Sequence, residues 1–72
     1  MLITVEFAGG GANVSWYSTP NKHYRLQYKN TLSDPTWTAV GGDVLATGAI
    51  TVQPDPNIGA NATRFYRVEA LD

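Results

Sequence analysis

The sequence predicts an all-β fold, a small antiparallel β-sandwich with about six short strands. Three observations support this prediction. Apolar and polar residues alternate with period two in several segments, as they do in strands that have one buried face. No window shows the three-and-four spacing of an amphipathic helix for more than a turn. Seven Gly and four Pro in 72 residues interrupt the chain every eight to twelve positions. A chain of this length forms one domain, residues 1–72.

Apolar residues at alternate positions mark each of the first three strands. The first covers residues 3–7 and the second 12–17, and the glycines between them suit a short hairpin loop. A turn containing Pro20 leads into the third strand at 23–29, where the alternation is clearest. The residues expected to face the core from these strands are Val5, Phe7, Val14, Trp16, Tyr24, Leu26 and Tyr28.

The remaining strands are shorter and are separated by glycine and proline turns. A fourth strand is predicted at 37–40, and residues 44–45 form a minor extended piece. A fifth at 49–53 is expected to end at the prolines that follow it, because proline cannot donate to a strand ladder. The last strand covers 64–70. The inward residues of these strands are predicted to be Ile50, Val52, Tyr66 and Val68.

Composition excludes several classes of function. Five Lys and Arg against six Asp and Glu give a net charge of −1, and these charges are scattered. Nucleic acid or an anionic membrane surface would require a basic stripe, so neither is an expected partner. Cysteine is absent and there is one histidine, which excludes disulfides, thiolate sites and histidine-based zinc sites. No apolar run is long enough for insertion into a membrane.

Three segments resemble strands B, C and F of a fibronectin type III domain, which implies an immunoglobulin-like sandwich: residues 12–16, 24–28 and 65–70. In that family a tryptophan at the end of strand B packs against inner tyrosines of strands C and F. Trp16, Tyr24 and Tyr66 take those places here. The segment 32–40 and the terminal Phe-Tyr-Arg-Val resemble a short variant found near the ends of large secreted and cell-surface proteins of environmental bacteria.

The resemblance implies extracellular or cell-surface display and a structural role, with no catalytic residue and no cofactor. The sequence departs from the family in the residues leading into strand F. It also ends at Asp72, where a full domain would add strand G. Strand F would then form an open sheet edge. We expect residues 2–7 to pair beside it within the same chain, or a neighbouring copy to donate a strand.

Candidate catalytic or metal-binding groups are sparse. His23 falls on the outward face of its strand, and no recognisable motif places a serine, cysteine or acidic residue near it for catalysis. The acidic residues are far apart, and Asp34 and Asp55 each precede a proline, where aspartate commonly caps a turn. Asp55 and Asn57 supply only two of the oxygen ligands that calcium needs. No catalytic, cofactor-binding or metal residue is therefore predicted.

The outward-facing aromatic residues are candidate contacts for a ligand or partner. Tyr17 and Phe65 fall on outer faces, and Trp37 either covers one end of the sandwich or stacks on a sugar ring. Asn13 and Asn61 each begin an N-glycosylation sequon, and Asn61 lies in a predicted loop.

These observations predict a non-catalytic extracellular module, a spacer, adhesion or assembly unit, whose partners are neighbouring domains or copies of itself. Two alternatives remain open at this point. One is a carbohydrate-binding accessory module of a secreted enzyme, for which polysaccharide is the partner. The other is a subunit that assembles with itself through an open sheet edge. An enzyme is not predicted, because a sandwich this small has little room for a pocket.

Overall fold

A computed structural model describes residues 2–56 and 64–71, and within them the chain is all-β, as the sequence predicts. The strands pair in two antiparallel sheets that form a small sandwich. The seven described strands are β1 (Ile3–Ala8), β2 (Gly11–Tyr17), β3 (His23–Lys29), β4 (Thr38–Ala39), β5 (Val44–Leu45), β6 (Ile50–Asp55) and β7 (Phe65–Ala70).

The first sheet has the strand order β1-β2-β6. β1 and β2 form a hairpin through Gly9 and Gly10, and Gly9 has a φ of 61°, which favours glycine. Gly11 is required for a different reason. A Cβ atom at this position would lie 2.8 Å from the carbonyl oxygen of Asp55, which is too close for any side chain.

The second sheet is built around β3, which pairs with three other strands. β7 lies along one edge of β3 over its whole length, from the pair Lys29–Phe65 to the pair Tyr24–Ala70. The two short strands β4 and β5 lie end to end along the other edge. β7 is therefore an edge strand of this sheet among the described residues.

The core lies between the two sheets and is centred on Trp16 and Leu26, which are 2% and 0% exposed. The Trp16 and Tyr24 rings are 6.1 Å apart and inclined by 59°, an arrangement typical of packed aromatic pairs. The buried cluster consists of Val14, Trp16, Tyr24, Leu26, Val40 and Ala46, and Ile3, Val5, Tyr28, Tyr66 and Val68 are half-buried against it.

The prediction that Ile50 and Val52 face the core is wrong. In the register of β2 and β6, Thr51 lies opposite Trp16, so Ile50 and Val52 point outward and are 61% and 55% exposed. The buried Thr51 hydroxyl lies 2.7 Å from the hydroxyl of Ser18, which satisfies it inside the sandwich. A shift of one residue in a strand exchanges its two faces. The predicted buried residues of β6 are off by one residue in this way.

Three further expectations are corrected at the edges of the first sheet. Phe7 lies opposite buried Ala12, on the face that carries Val5, but it is 73% exposed because no strand of the described residues covers this end of β1. β6 continues through Pro54 to Asp55, since it is an edge strand and edges tolerate proline. Finally, β1 pairs with β2 over six residues and does not pair beside β7.

Candidate functional site

A buried polar cluster surrounds Asp55 at one end of the sandwich. Asp55 is 3% exposed, and its Oδ2 atom accepts hydrogen bonds from Arg64 Nη1 and from the Tyr66 hydroxyl, each at 2.7 Å. The Arg64 guanidinium also lies over the Tyr28 ring, 3.8 Å from its centroid. These contacts join β6 of one sheet to β7 and β3 of the other.

Sequence reasoning assigned Asp55 to a turn and so missed this cluster. Its position opposite Ala12 in the ladder turns its side chain inward, where a carboxylate requires charged or hydrogen-bonding partners. A depression of about 500 Å³ lies beside it, lined in part by Tyr28, Val40, Gln53 and Arg64. Because Asp55 is already bonded to Arg64 and Tyr66, the cluster acts as a clamp between the sheets.

Burial, with the hydrogen bond to Asp55, raises the pKa of Tyr66 above its usual range. A raised folded-state pKa stabilises the fold fully below the unfolded pKa of about 10, and this contribution is lost as the pH rises beyond it. We therefore expect the free energy of unfolding of the wild type to approach that of Tyr66→Phe progressively as the pH rises above about 10. Urea titrations of both proteins from pH 8 upward measure this, and a constant difference would contradict it.

Trp37, a predicted ligand contact, lies between strands on the outer side of the second sheet. Lys29 Nζ and Arg67 Cζ are each 4.6 Å from the centroid of its ring, within the range of cation–π contacts. Arg67 Nε is fixed in turn by Gln27 Oε1 at 2.7 Å. The ring is half-buried by these contacts, so the structure does not favour Trp37 as an open platform for a sugar.

The rest of this outer face carries charges that pair with one another. Arg25 donates to both carboxylate oxygens of Asp43, at 2.8 and 3.2 Å, and lies 3.5 Å from Glu69. The hydrogen bond with Arg25 lowers the pKa of Asp43 and raises that of Arg25. The pair is solvated, so it contributes little to stability. Half-buried Phe65 lies on the same face, opposite Lys29.

Tyr17 lies apart from the other two predicted contact residues, on the outer face of the first sheet. It is 68% exposed and pairs with Ile50, and Leu2, directly before the neighbouring strand β1, is 72% exposed. Leu2, Tyr17 and Ile50 line a shallow depression of about 240 Å³. The sequence did not indicate this apolar surface, because Ile50 was assigned to the core.

The other predicted positions show no shared site. His23 and Asn13 are exposed, on β3 and β2, and Asn61 lies outside the described residues. Asp34 accepts hydrogen bonds from the backbone N–H groups of Asn30 and Thr31, which lower its pKa. Within residues 2–56 and 64–71, no three His, Cys, Asp or Glu side chains group together as they would at a metal site.

Comparison with known proteins identifies no relative: no family model, no curated protein and no solved structure matches this sequence. Among the described residues there is also no helix of the length and apolar character needed to cross a membrane.

Proposed function

We propose that this chain is a non-catalytic structural and interaction module of the fibronectin type III kind, displayed outside the cell as part of a secreted or surface protein. The proposal is supported by the three segments that resemble strands B, C and F, which become β2, β3 and β7. Trp16 and Tyr24 pack together at the centre, and Tyr66 lies against the same core. Function then resides in surfaces that contact a neighbouring chain.

The observation that carries the proposal is the outer edge of β7. The backbone N–H group of Leu71 donates to the carbonyl oxygen of His23. Every second residue before it, such as Glu69 and Arg67, therefore directs its N–H and C=O groups to β3. The alternate residues Val68 and Ala70 therefore direct their N–H and C=O groups away from β3. No strand of the described residues pairs with this side. An edge of this kind is a template for a strand from another chain.

Phe7 indicates which strand fits this edge. β1 lies across the sandwich from β7, and Phe7 faces the interlayer space while remaining 73% exposed. A strand added beside β7 would cover this ring if it carried apolar residues at alternate positions. Arg67 and Glu69 stay on the solvent side. The expected partner is thus an extended segment with one apolar face, from a neighbouring domain or a copy of this chain.

We expect a synthetic peptide of residues 2–8, which has this alternation, to protect the outward N–H groups of β7 from hydrogen exchange. The amides to follow are those of Tyr66, Val68 and Ala70. Ala70→Pro removes one outward N–H without touching the bonds to β3, so it should weaken the protection of Tyr66 and Val68 while leaving the fold intact. Ala70→Ser keeps the N–H group and is the matched control.

Three results would overturn the proposal. The first is unchanged exchange at these three amides in saturating peptide, in a protein that circular dichroism shows to be folded. The second is protection of Tyr66 and Val68 that Ala70→Pro leaves undiminished, which would place the peptide elsewhere. The third is a hydrolase or transferase activity in the isolated chain, which would exclude a purely structural module.

A further inference from the structure

We infer that the outer face of the β1-β2-β6 sheet is a second interaction surface, and that it takes a second copy of this chain face to face. This goes beyond the proposed function, which concerns the edge of β7. The register of the sheet aligns Tyr17 with Ile50, and continuing it by one residue places Leu2 beside Tyr17. These three residues form an apolar row across all three strands, and Val52 lies in the adjoining row.

The size of this surface distinguishes it from scattered apolar residues. Leu2, Tyr17, Ile50 and Val52 are 72%, 68%, 61% and 55% exposed. Together they present on the order of 400 Å² of side chain, the size at which a contiguous apolar patch on a monomer is often functional. With the surrounding polar residues, two such faces bury roughly 1,000 Å², the lower limit of a specific interface.

Charge argues for a copy of the same chain as the occupant. The outward residues of this sheet include a single ionisable carboxylate, Glu6, whereas the opposite face carries the paired charges of Arg25, Asp43 and Glu69, and also Arg67, which is bonded to Gln27. Glu6 is four residues from Leu2 along β1, about 13 Å from the apolar row. When the two-fold axis of the dimer runs along this row, the two Glu6 side chains lie on opposite sides of the axis and do not repel each other.

Shape supports the same pairing. The depression of about 240 Å³ is lined by Leu2, Ser15, Tyr17 and Ile50, and it adjoins the projecting Tyr17 ring. In an isologous dimer the Tyr17 ring of each copy enters the depression of the other, as side chains of packed sheets interdigitate. A tyrosine at the centre of a small interface is the kind of anchor that dominates binding energy.

Sedimentation equilibrium between about 5 µM and 1 mM tests this inference. The mass should rise from 7.8 kDa to that of a dimer, with little dependence on salt. Ile50→Asp or Val52→Asp, each at an exposed position, should weaken the dimer by more than about 100-fold, because each dimer then buries two carboxylates. Leu32→Asp is the control, since Leu32 is 71% exposed in the β3–β4 connection, away from this face. This variant should dimerise as the wild type does.

Ile50→Thr keeps the β-branched shape and provides a second variant that removes apolar surface with little effect on folding. Circular dichroism establishes that each variant is folded. A monomer at every concentration would overturn the inference, as would a dimer that both Asp variants leave unchanged. If Ala70→Pro abolishes the increase in mass and Ile50→Asp does not, the chain assembles through the β7 edge and not through this face. Retention on a polysaccharide that Tyr17→Ala removes, in a protein that stays monomeric, would make this face a carbohydrate surface and would also overturn it.

Discussion

Trp16→Ala is expected to destabilise the protein by about 3–5 kcal/mol, the usual cost of truncating a large buried aromatic residue. Trp16 is 2% exposed and packs between the two sheets against Tyr24. A domain of 72 residues has roughly 4–11 kcal/mol of stability in total, at 0.05–0.15 kcal/mol per residue. The loss is a large part of this total, and for a stability at the lower end of the range it leaves little folded protein.

Guanidinium titration followed by far-ultraviolet circular dichroism measures this effect. Leu32→Ala is the control, because this side chain is 71% exposed in the β3–β4 connection and its removal should leave the midpoint nearly unchanged. Trp16→Phe should cost less than its lost volume implies, since no described residue accepts a hydrogen bond from the buried indole N–H. A loss below 1 kcal/mol in Trp16→Ala would contradict the position of this residue at the centre of the core.

Asp55→Ala is the second substitution with a large expected effect, about 3–5 kcal/mol. Removing the carboxylate leaves the Arg64 guanidinium, whose side chain is only 12% exposed, without its 2.7 Å ion pair. The Tyr66 hydroxyl loses its acceptor at the same time. Breaking a buried ion pair on one side costs more than deleting both partners, because the remaining charge stays desolvated.

A double-mutant cycle with Arg64→Met tests this account through urea titrations at pH 7. The double variant should be more stable than the sum of the two single losses predicts. Asp55→Asn keeps one acceptor oxygen and should fall between the wild type and Asp55→Ala. Asp43→Ala is the control, since its ion pair with Arg25 is solvated, and it should change stability little. Additive losses of stability, or a small effect of Asp55→Ala, would show that Asp55 and Arg64 are not energetically coupled.

Alternation along a strand was sufficient to predict the elements whose two faces differ clearly. β3 (His23–Lys29) has the predicted bounds. Its charged residues alternate with Tyr24 and Leu26, so burial of these two side chains leaves the charged ones in solvent. The hairpin of β1 and β2 follows from the same periodicity and from the glycines between them. In these segments the sequence alone specifies both the period and the buried face.

In β6 the sequence determined the period, and tertiary structure decided the face. Ile50 and Val52 alternate with Thr51 and Gln53, so either set satisfies a strand with one buried side. The choice depends on Asp55, whose partners Arg64 and Tyr66 lie nine and eleven residues away, on β7 or next to it. Once Asp55 points inward to meet them, the two-residue period turns Ile50 and Val52 toward solvent.

Trp37 was undetermined for the same reason. Its cationic neighbours Lys29 and Arg67 belong to β3 and β7, and only the pairing of these strands brings them to one ring. A local pattern records which residues alternate, but it carries no information on partners that are distant in the sequence. The apolar face of the first sheet and the polar clamp at its end both arise from such distant contacts. Hydrophobicity along β6 favoured burial of the face with Ile50 and Val52. The face with Asp55 is buried instead, because this carboxylate is held by its ion pair inside the sandwich.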